Sequence, residues 1–344
     1  MSGMPTAPLA PWQQRMYERA VEALDSGRMG HALLLSGPER LGKRAVAERL
    51  AQYVLCTAKE GARPCGRCRS CELYAARSQR DPLEHRPDGS LSHPDGHPMH
   101  PDAVFVSYAW RMSPSPQRQL TQVSVDQIRE LSERLGKSAQ YGGGKVAIIE
   151  PAEAMNENAC NALLKTLEEP QPGRYLWLVA ANPMRLPATI RSRCQRLEFR
   201  LPPREEALAW LGAQGHDDRA ATEALDAARG HPGLAASWLR DGGMELRREV
   251  AADLAALARG ELAPSEAARR WTTEGAHAAS RLGHAADIAV GKASGLTDPE
   301  RTRRLAAWFD EANRTRDLLR TTVRADLAVA GLLLRWRELA AAGR

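Results

Sequence analysis

Aromatic side chains are scarce, at 5% of the 344 residues, with only three Phe and six Tyr. Sandwiches and barrels draw on such residues, so an apolar set led by Leu and Ala favours helix instead. Long hydrophobic runs are also missing. None approaches the roughly 18–20 consecutive apolar residues of a membrane span. Residues 1–11 have no basic stretch leading into an apolar one, as a secretory signal requires. The expected location is therefore the cytoplasm, with no membrane partner. There the six cysteines read as thiols or metal ligands, not disulfides. Acidic residues fall slightly short of basic ones, 42 against 48, for a formal charge of +6. That excess suits contact with nucleic acid or acidic proteins, and equally an Arg-rich composition with no such role. No internal repeat is present.

Four apolar runs, at 32–35, 103–106, 145–149 and 176–181, predict strands, most of them continuous enough for burial on both faces, and 196–199 predicts a last strand. Helical spacing predicts helices at 11–26, 44–55, 125–135, 158–169 and 187–191. Pro170 stops the fourth. The alternation implies an α/β fold with a parallel sheet flanked by helices. Beyond residue 205 the pattern is helical only. The expected domains are an α/β domain at 1–202 with a cysteine module inserted at about 56–75, a small helical domain at 203–242 and a helical C-terminal domain at 243–344.

Residues 79–101 are rich in Pro, His, Asp and Gly and lack periodicity, which predicts a mobile insertion. Its His85, His93, His97 and His100 are irregularly spaced and interrupted by proline, which argues against a metal site. In the C-terminal domain Trp308, Leu319, Val323, Leu327 and Leu334 are candidate packing residues. The neighbouring Arg316, Arg320 and Arg324 read as a solvated basic face before a DNA-binding one.

The segment Gly37-Pro38-Glu39-Arg40-Leu41-Gly42-Lys43-Arg44 matches G-x-x-x-x-G-K between a predicted strand and helix. Glycines let backbone N–H groups curl around a phosphate, the helix N-terminus adds positive potential, and the lysine reaches the outer phosphates. The eighth position should be Ser or Thr, whose hydroxyl ligates magnesium. Arg44 stands there, and a guanidinium has no lone pair to offer a cation and repels it. Glu150, closing the strand at 145–149, suits the acid that holds magnesium through water. The following position normally supplies a second carboxylate to activate water, and here it is Pro151. Hydrolysis at such a site should be very slow, and ATP binding itself is doubtful.

Cys56, Cys65, Cys68 and Cys71 form C-x8-C-x2-C-x2-C. Four thiolates suit structural zinc, with no open position to activate water. Cys160 and Cys194 read as small buried hydrophobes.

In order, these stretches resemble the bacterial clamp-loader family of AAA+ proteins. The resemblance rests on residues 31–37 leading into the loop, the cysteine cluster, His100-Pro101-Asp102, Asp126-Gln127-Ile128-Arg129, Asn161 through Pro170 (NALLKTLEEP), and Ile190-Arg191-Ser192-Arg193-Cys194. It covers residues 11–202 well and the C-terminal third weakly. The resemblance implies an AAA+ domain, a lid and a collar. It implies that Arg193 is an arginine finger reaching a neighbouring subunit's ATP site, and that Asn182 stands at the polar sensor position. Where active members carry an arginine in the small domain, this chain has Gly233 and Leu234. The implied role is a stator that hydrolyses no ATP itself and belongs to a DNA polymerase holoenzyme, a nucleotidyltransferase by assembly. Its partners would be gamma/tau and delta subunits and, through the complex, the sliding clamp and primed DNA. The alternatives are a working gamma/tau-type ATPase and a zinc-dependent nucleic-acid-binding module.

Overall fold

The computed structural model describes residues 8–87, 89–141, 143–273, 277–293, 297–319 and 323–341. They divide into two compact units, 1–235 and 236–344.

The first unit begins with α1 (Pro11–Asp25), β1 (Ala32–Ser36) and α2 (Lys43–Leu55). Then come α3 (Arg69–Ala75), β2 (Arg77–Ser78), β3 (His97–Pro98), β4 (Ala103–Val106), β5 (Trp110–Arg111) and β6 (Arg118–Gln119). Next are α4 (Val125–Gly136), β7 (Lys145–Ile149), α5 (Glu157–Glu168), β8 (Arg174–Ala180), α6 (Ala188–Arg191) and β9 (Gln195–Glu198). Helices α7 (Arg204–Ala213) and α8 (Asp218–Ala227) follow. Helix α9 (Pro232–Arg240) crosses the division between the units.

Strands β4-β7-β8-β1-β9 form one sheet, parallel throughout. Strand alternation sends successive residues to opposite faces. Leu33 and Leu35 of β1 pack with Val46, Leu50 and Trp177 on the face covered by α1 and α2. Ala32 and Leu34 pack with Ile128, Leu131 and Leu163 on the face covered by α4 and α5. Local chemistry starts the helices on that second face. Ser124 and Gln127 form a capping box at α4, and the Asn156 side chain accepts from the Ala159 N–H at α5, satisfying donors that have no partner within the helix.

The insertion departs from its expected mobility. Strands β2 and β3, at its two ends, pair antiparallel, and His85 bridges Leu91 within it. The Trp110 indole donates to the Leu83 carbonyl at 2.7 Å. Glu84, His93, His97 and His100 are all buried. Buried polar contacts supply the order here, and hydrophobic periodicity does not register them.

The second unit contains α10 (Gly243–Arg259), α11 (Pro264–Thr273), α12 (Ala278–Ala293), α13 (Pro299–Leu318) and α14 (Ala325–Ala341). Its core is built around Trp271, Trp308 and Trp336. Each indole N–H is satisfied, by Asp253, the Leu332 carbonyl and the Leu254 carbonyl respectively. Of the expected packing residues Trp308 is buried and Leu319 is partly buried, whereas Val323, Leu327 and Leu334 are exposed. Helix α14 buries Val329, Leu332, Leu333 and Trp336, and at 100° per residue Leu327 and Leu334 fall on the opposite face. Arg320 lies outside the described residues. Among the described residues no helix is long and apolar enough to cross a membrane.

Candidate functional site

The phosphate loop lies between β1 and α2, at the carboxyl end of the sheet, where parallel folds place their ligands. Gly37 has φ +134°, and a Cβ there would stand 2.2 Å from the Phe199 carbonyl oxygen. The motif's first glycine is thus required by the close approach of the chain leaving β9.

The loop's carbonyls already have donors. The Lys43 ammonium donates to the Gly37 and Pro38 carbonyls at 2.7 and 2.6 Å. Burial pulls its proton affinity down, against the pull of Glu150, Glu153 and Glu39. The Trp12 indole and Gln13 amide donate to the Leu41 carbonyl at 3.1 and 3.2 Å. His231 Nε2 donates to the Glu39 carbonyl at 2.7 Å, while its Nδ1 accepts from the Leu234 N–H at 3.1 Å. That fixes a neutral ring, as its burial also favours. Gly233 rests directly on the loop: a Cβ there would lie 1.9 Å from the Arg40 carbonyl oxygen. At Gly233 the backbone itself touches the loop, leaving no room there for a side chain.

Arg44 projects from the first turn of α2 to the position expected of a cation. It donates to Glu48 at 2.8 Å, to Glu150 at 3.2 Å, to the Ser92 carbonyl at 2.7 Å and to His93 Nδ1 at 3.2 Å. Burial opposes its charge, but Glu150 and Glu48 outweigh burial and raise its affinity for the proton. Arg86 lies 3.6 Å from the same Glu150 oxygen, so the acid closing β7 faces two guanidinium groups. Burial first, then His97 and Arg44, push His93 down to about 2, which keeps it neutral. Near Pro151, Glu153 accepts the Ala181 and Asn182 N–H groups at 2.7 and 3.0 Å. It holds the backbone that leaves β8.

Arg193 lies apart from this network. It follows α6 at the surface, donates to the Thr189 carbonyl at 3.0 Å and pairs with Glu168 at 2.5 Å. The pair joins the NALLKTLEEP run to the Ser-Arg-Cys triplet. The neighbouring Cys194 is buried, which pushes its thiol up to about 11.

The structure brings Cys56, Cys65, Cys68 and Cys71 together, all four sulfurs within 4.8 Å of one another. Cys56 closes α2 and Cys68 caps α3. The Cys56 sulfur lies 3.6 Å from that of Cys65 and 3.9 Å from that of Cys68. Tetrahedral zinc with Zn–S near 2.3 Å gives sulfur separations of about 3.8 Å. A disulfide would need about 2.05 Å, so the set fits a four-thiolate metal centre. Backbone N–H groups of Cys65, Cys68 and Cys71 point at the sulfurs of Cys56, Cys65 and Cys68, an arrangement that favours thiolate. His100 ties this module to the sheet. Its Nδ1 accepts from the Asp102 N–H, its Nε2 meets the Ser70 hydroxyl at 2.7 Å, and that hydroxyl donates to the Leu55 carbonyl. Asp102 takes the Gln140 and Tyr141 N–H groups and Lys145. The His-Pro-Asp match is thus a buried structural bracket.

The residues that sequence reasoning missed are Trp12, Gln13, Glu48, Ser92, Glu153 and His231. All but Glu48 join the site through a contact between positions distant in the chain or through a backbone carbonyl. Only Glu48, one helical turn beyond Arg44, carried a signal in its i,i+4 spacing.

The family described as DNA polymerase III, delta subunit matches residues 12–203. The chain is 36% identical to the DNA polymerase III subunit delta′ of Pseudomonas aeruginosa over 271 residues, 78% of this chain and 72% of that one. It is 32% identical to the DNA polymerase III subunit delta′ of Escherichia coli K12 over 247 residues, 71% of this chain and 65% of that one. A solved structure of a DNA polymerase III gamma subunit-related protein from Thermotoga maritima matches with TM-score 0.45 and 17% identity, covering 95% of this chain and 99% of that one.

Proposed function

The chain belongs to the DNA polymerase III subunit delta′ family, and from that premise we propose that it is a non-hydrolysing stator subunit of the clamp loader. In this reading it assembles with gamma/tau-type and delta-type subunits in the cytoplasm and helps load the sliding clamp onto primed DNA. Its own nucleotide site is retired, and Arg193 serves a neighbour's site.

The observation that carries the reading is the position of Arg44. Its guanidinium joins the phosphate-loop helix to Glu150 at 3.2 Å, the place where magnesium would join a hydroxyl to that acid. A fixed positive charge there excludes a dication by repulsion, and Pro151 supplies no base. The carbonyl bonds of Lys43 and the backbone seat of Gly233 add to the same reading. A working gamma/tau-type ATPase would need each of these positions reversed.

Arg193 suits a finger because it is exposed and lightly held. A surface ion pair such as Arg193–Glu168 is worth about 0–1 kcal/mol, so a more strongly negative partner can take the arginine from it. Zinc in the four-cysteine site would staple α2 to α3, a short segment with little apolar surface of its own. A zinc-dependent nucleic-acid module finds less support, since the cysteine cluster is a fastening of the α/β unit rather than a free finger.

The test is turnover. The purified chain should show no magnesium-dependent ATP hydrolysis, and Arg44→Thr alone should not restore it because Pro151 still lacks a base. Clear turnover by the unaltered chain would overturn the stator reading.

A further inference from the structure

Beside Arg44 the insertion gathers three buried groups that the retired nucleotide site does not explain. The turn His93-Pro94-Asp95-Gly96-His97 closes with the Gly96 N–H donating to the His93 carbonyl at 2.9 Å. It is pinned by Gln79, which donates to the same carbonyl at 2.8 Å, and by pairing of Ser78 with His97. This places the two imidazoles 4.0 Å apart, centroid to centroid. Glu84 reaches between them: its Oε2 lies 3.3 Å from His93 Nε2 and 3.2 Å from His97 Nε2. The Ser92 N–H donates to the Glu84 carbonyl at 2.8 Å, fixing that approach. One ligand atom from each residue lies within 4.8 Å of the others, and all three residues are buried.

His93 is 3% exposed, yet its Nε2 makes no hydrogen bond of acceptable geometry. A buried, unpaired ring nitrogen is costly. Two imidazole nitrogens and a carboxylate oxygen are the ligand set of a zinc-class ion with its fourth position open. We propose that Glu84, His93 and His97 bind a second divalent transition metal, of the zinc class, which locks the insertion against the phosphate loop.

The geometry predicts a coupling to Arg44. In a neutral, metal-free His93 the Nδ1 accepts from Arg44, so the ring proton sits on Nε2. A metal taking the Nε2 lone pair moves that proton to Nδ1, which then faces a donor. Arg44 gives up this one bond and keeps those to Glu48, Glu150 and the Ser92 carbonyl. The other nearby cations have partners: Arg77 pairs with Glu48, Arg86 lies by Glu150, and the half-exposed Arg80 is on the other Glu84 oxygen. Arg80 can turn to solvent as the metal arrives. The proposal does not depend on the stator reading, since a metal could bind whether or not the loop turns over ATP.

The full-length chain, purified without chelator and saturated with Zn2+, should hold a second equivalent beyond the four-thiolate site. Glu84→Gln and His97→Gln should each lose that equivalent and keep the first, while Cys68→Ser should do the reverse. Co2+ loading resolves the two centres without any substitution. The thiolate site gives sulfur-to-cobalt charge-transfer bands, and the nitrogen/oxygen site adds only d–d bands. A second equivalent with the latter spectrum supports the proposal even if a variant misfolds. Saturation at a single equivalent with a purely thiolate spectrum, or a second equivalent untouched by both Glu84→Gln and His97→Gln, overturns it.

Discussion

Arg44 and Arg193 are held in opposite ways. Arg44 is largely buried, with its fork bound by two carboxylates, a carbonyl and an imidazole. Arg193 is 36% exposed at its side chain and leans on one half-exposed carboxylate. A saturated, desolvated arginine is expensive to move because its departure strands buried charges. An exposed one is released for a fraction of a kcal/mol. On the proposed reading, the difference teaches where chemistry can still happen in this chain: the loop that looks like an enzyme site serves as a brace, and the lightly held surface arginine is the one that can act.

The sharpest way to break that contrast is Arg193→Ala. In a reconstituted assembly it should lower turnover at the one neighbouring ATP site about 10³-fold, the scale of a finger in trans, while the melting temperature of the isolated chain stays unchanged. Unaltered turnover would remove Arg193 from that role. Next in size is Gly233→Ala, which forces a methyl onto the Arg40 carbonyl. It should cost about 3 kcal/mol by overpacking, read as a lower denaturation midpoint. A change below about 0.5 kcal/mol would mean that the loop is not braced there.

The C-terminal unit supplies a control that involves neither arginine. Burial, then Arg247 and Arg281, push its His284 down to about 4. The folded value lies below the ordinary ~6.5, so the unfolded chain binds the proton more readily. The stabilisation is fully present above about pH 6.5 and is lost as pH falls towards 4, at about 1.4 kcal/mol per unit. Melts between pH 7 and pH 5 should show that loss, with a shallower slope in His284→Gln. An identical slope would exclude His284 as its source. The smallest effect belongs to Glu168→Ala. Its half-exposed pair with Arg193 should contribute no more than about 0.5 kcal/mol, and assembly ATPase should not fall. A large loss of stability would show that Arg193 is fastened, not free.

Much of the α/β unit was legible in local patterns. Continuous apolar runs marked four of the five strands of the sheet, and the spacing of Val46, Leu50 and Val54 marked the buried face of α2. The insertion was misread because its order comes from Glu84, His93, His97 and His100, polar residues with no period. The outer face of α14 was misread because Leu327 and Leu334 have the composition of packing residues, and periodicity cannot say which of two apolar faces meets the core.

The amino-acid sequence by itself determined the phosphate loop with its wrong eighth residue, the missing second carboxylate and the four-cysteine set. These depend on neighbours along the chain, where spacing is geometry. Only the tertiary structure decided what those residues do to one another: that Arg44 spans from Glu48 to Glu150 and Ser92, that Gly233 and His231 press on the loop, and that Glu84 stands between two histidines. Apart from Arg44–Glu48, such contacts join positions from nine to nearly two hundred residues apart. They are fixed by how the sheet, the insertion and the following helices pack, which no local pattern encodes.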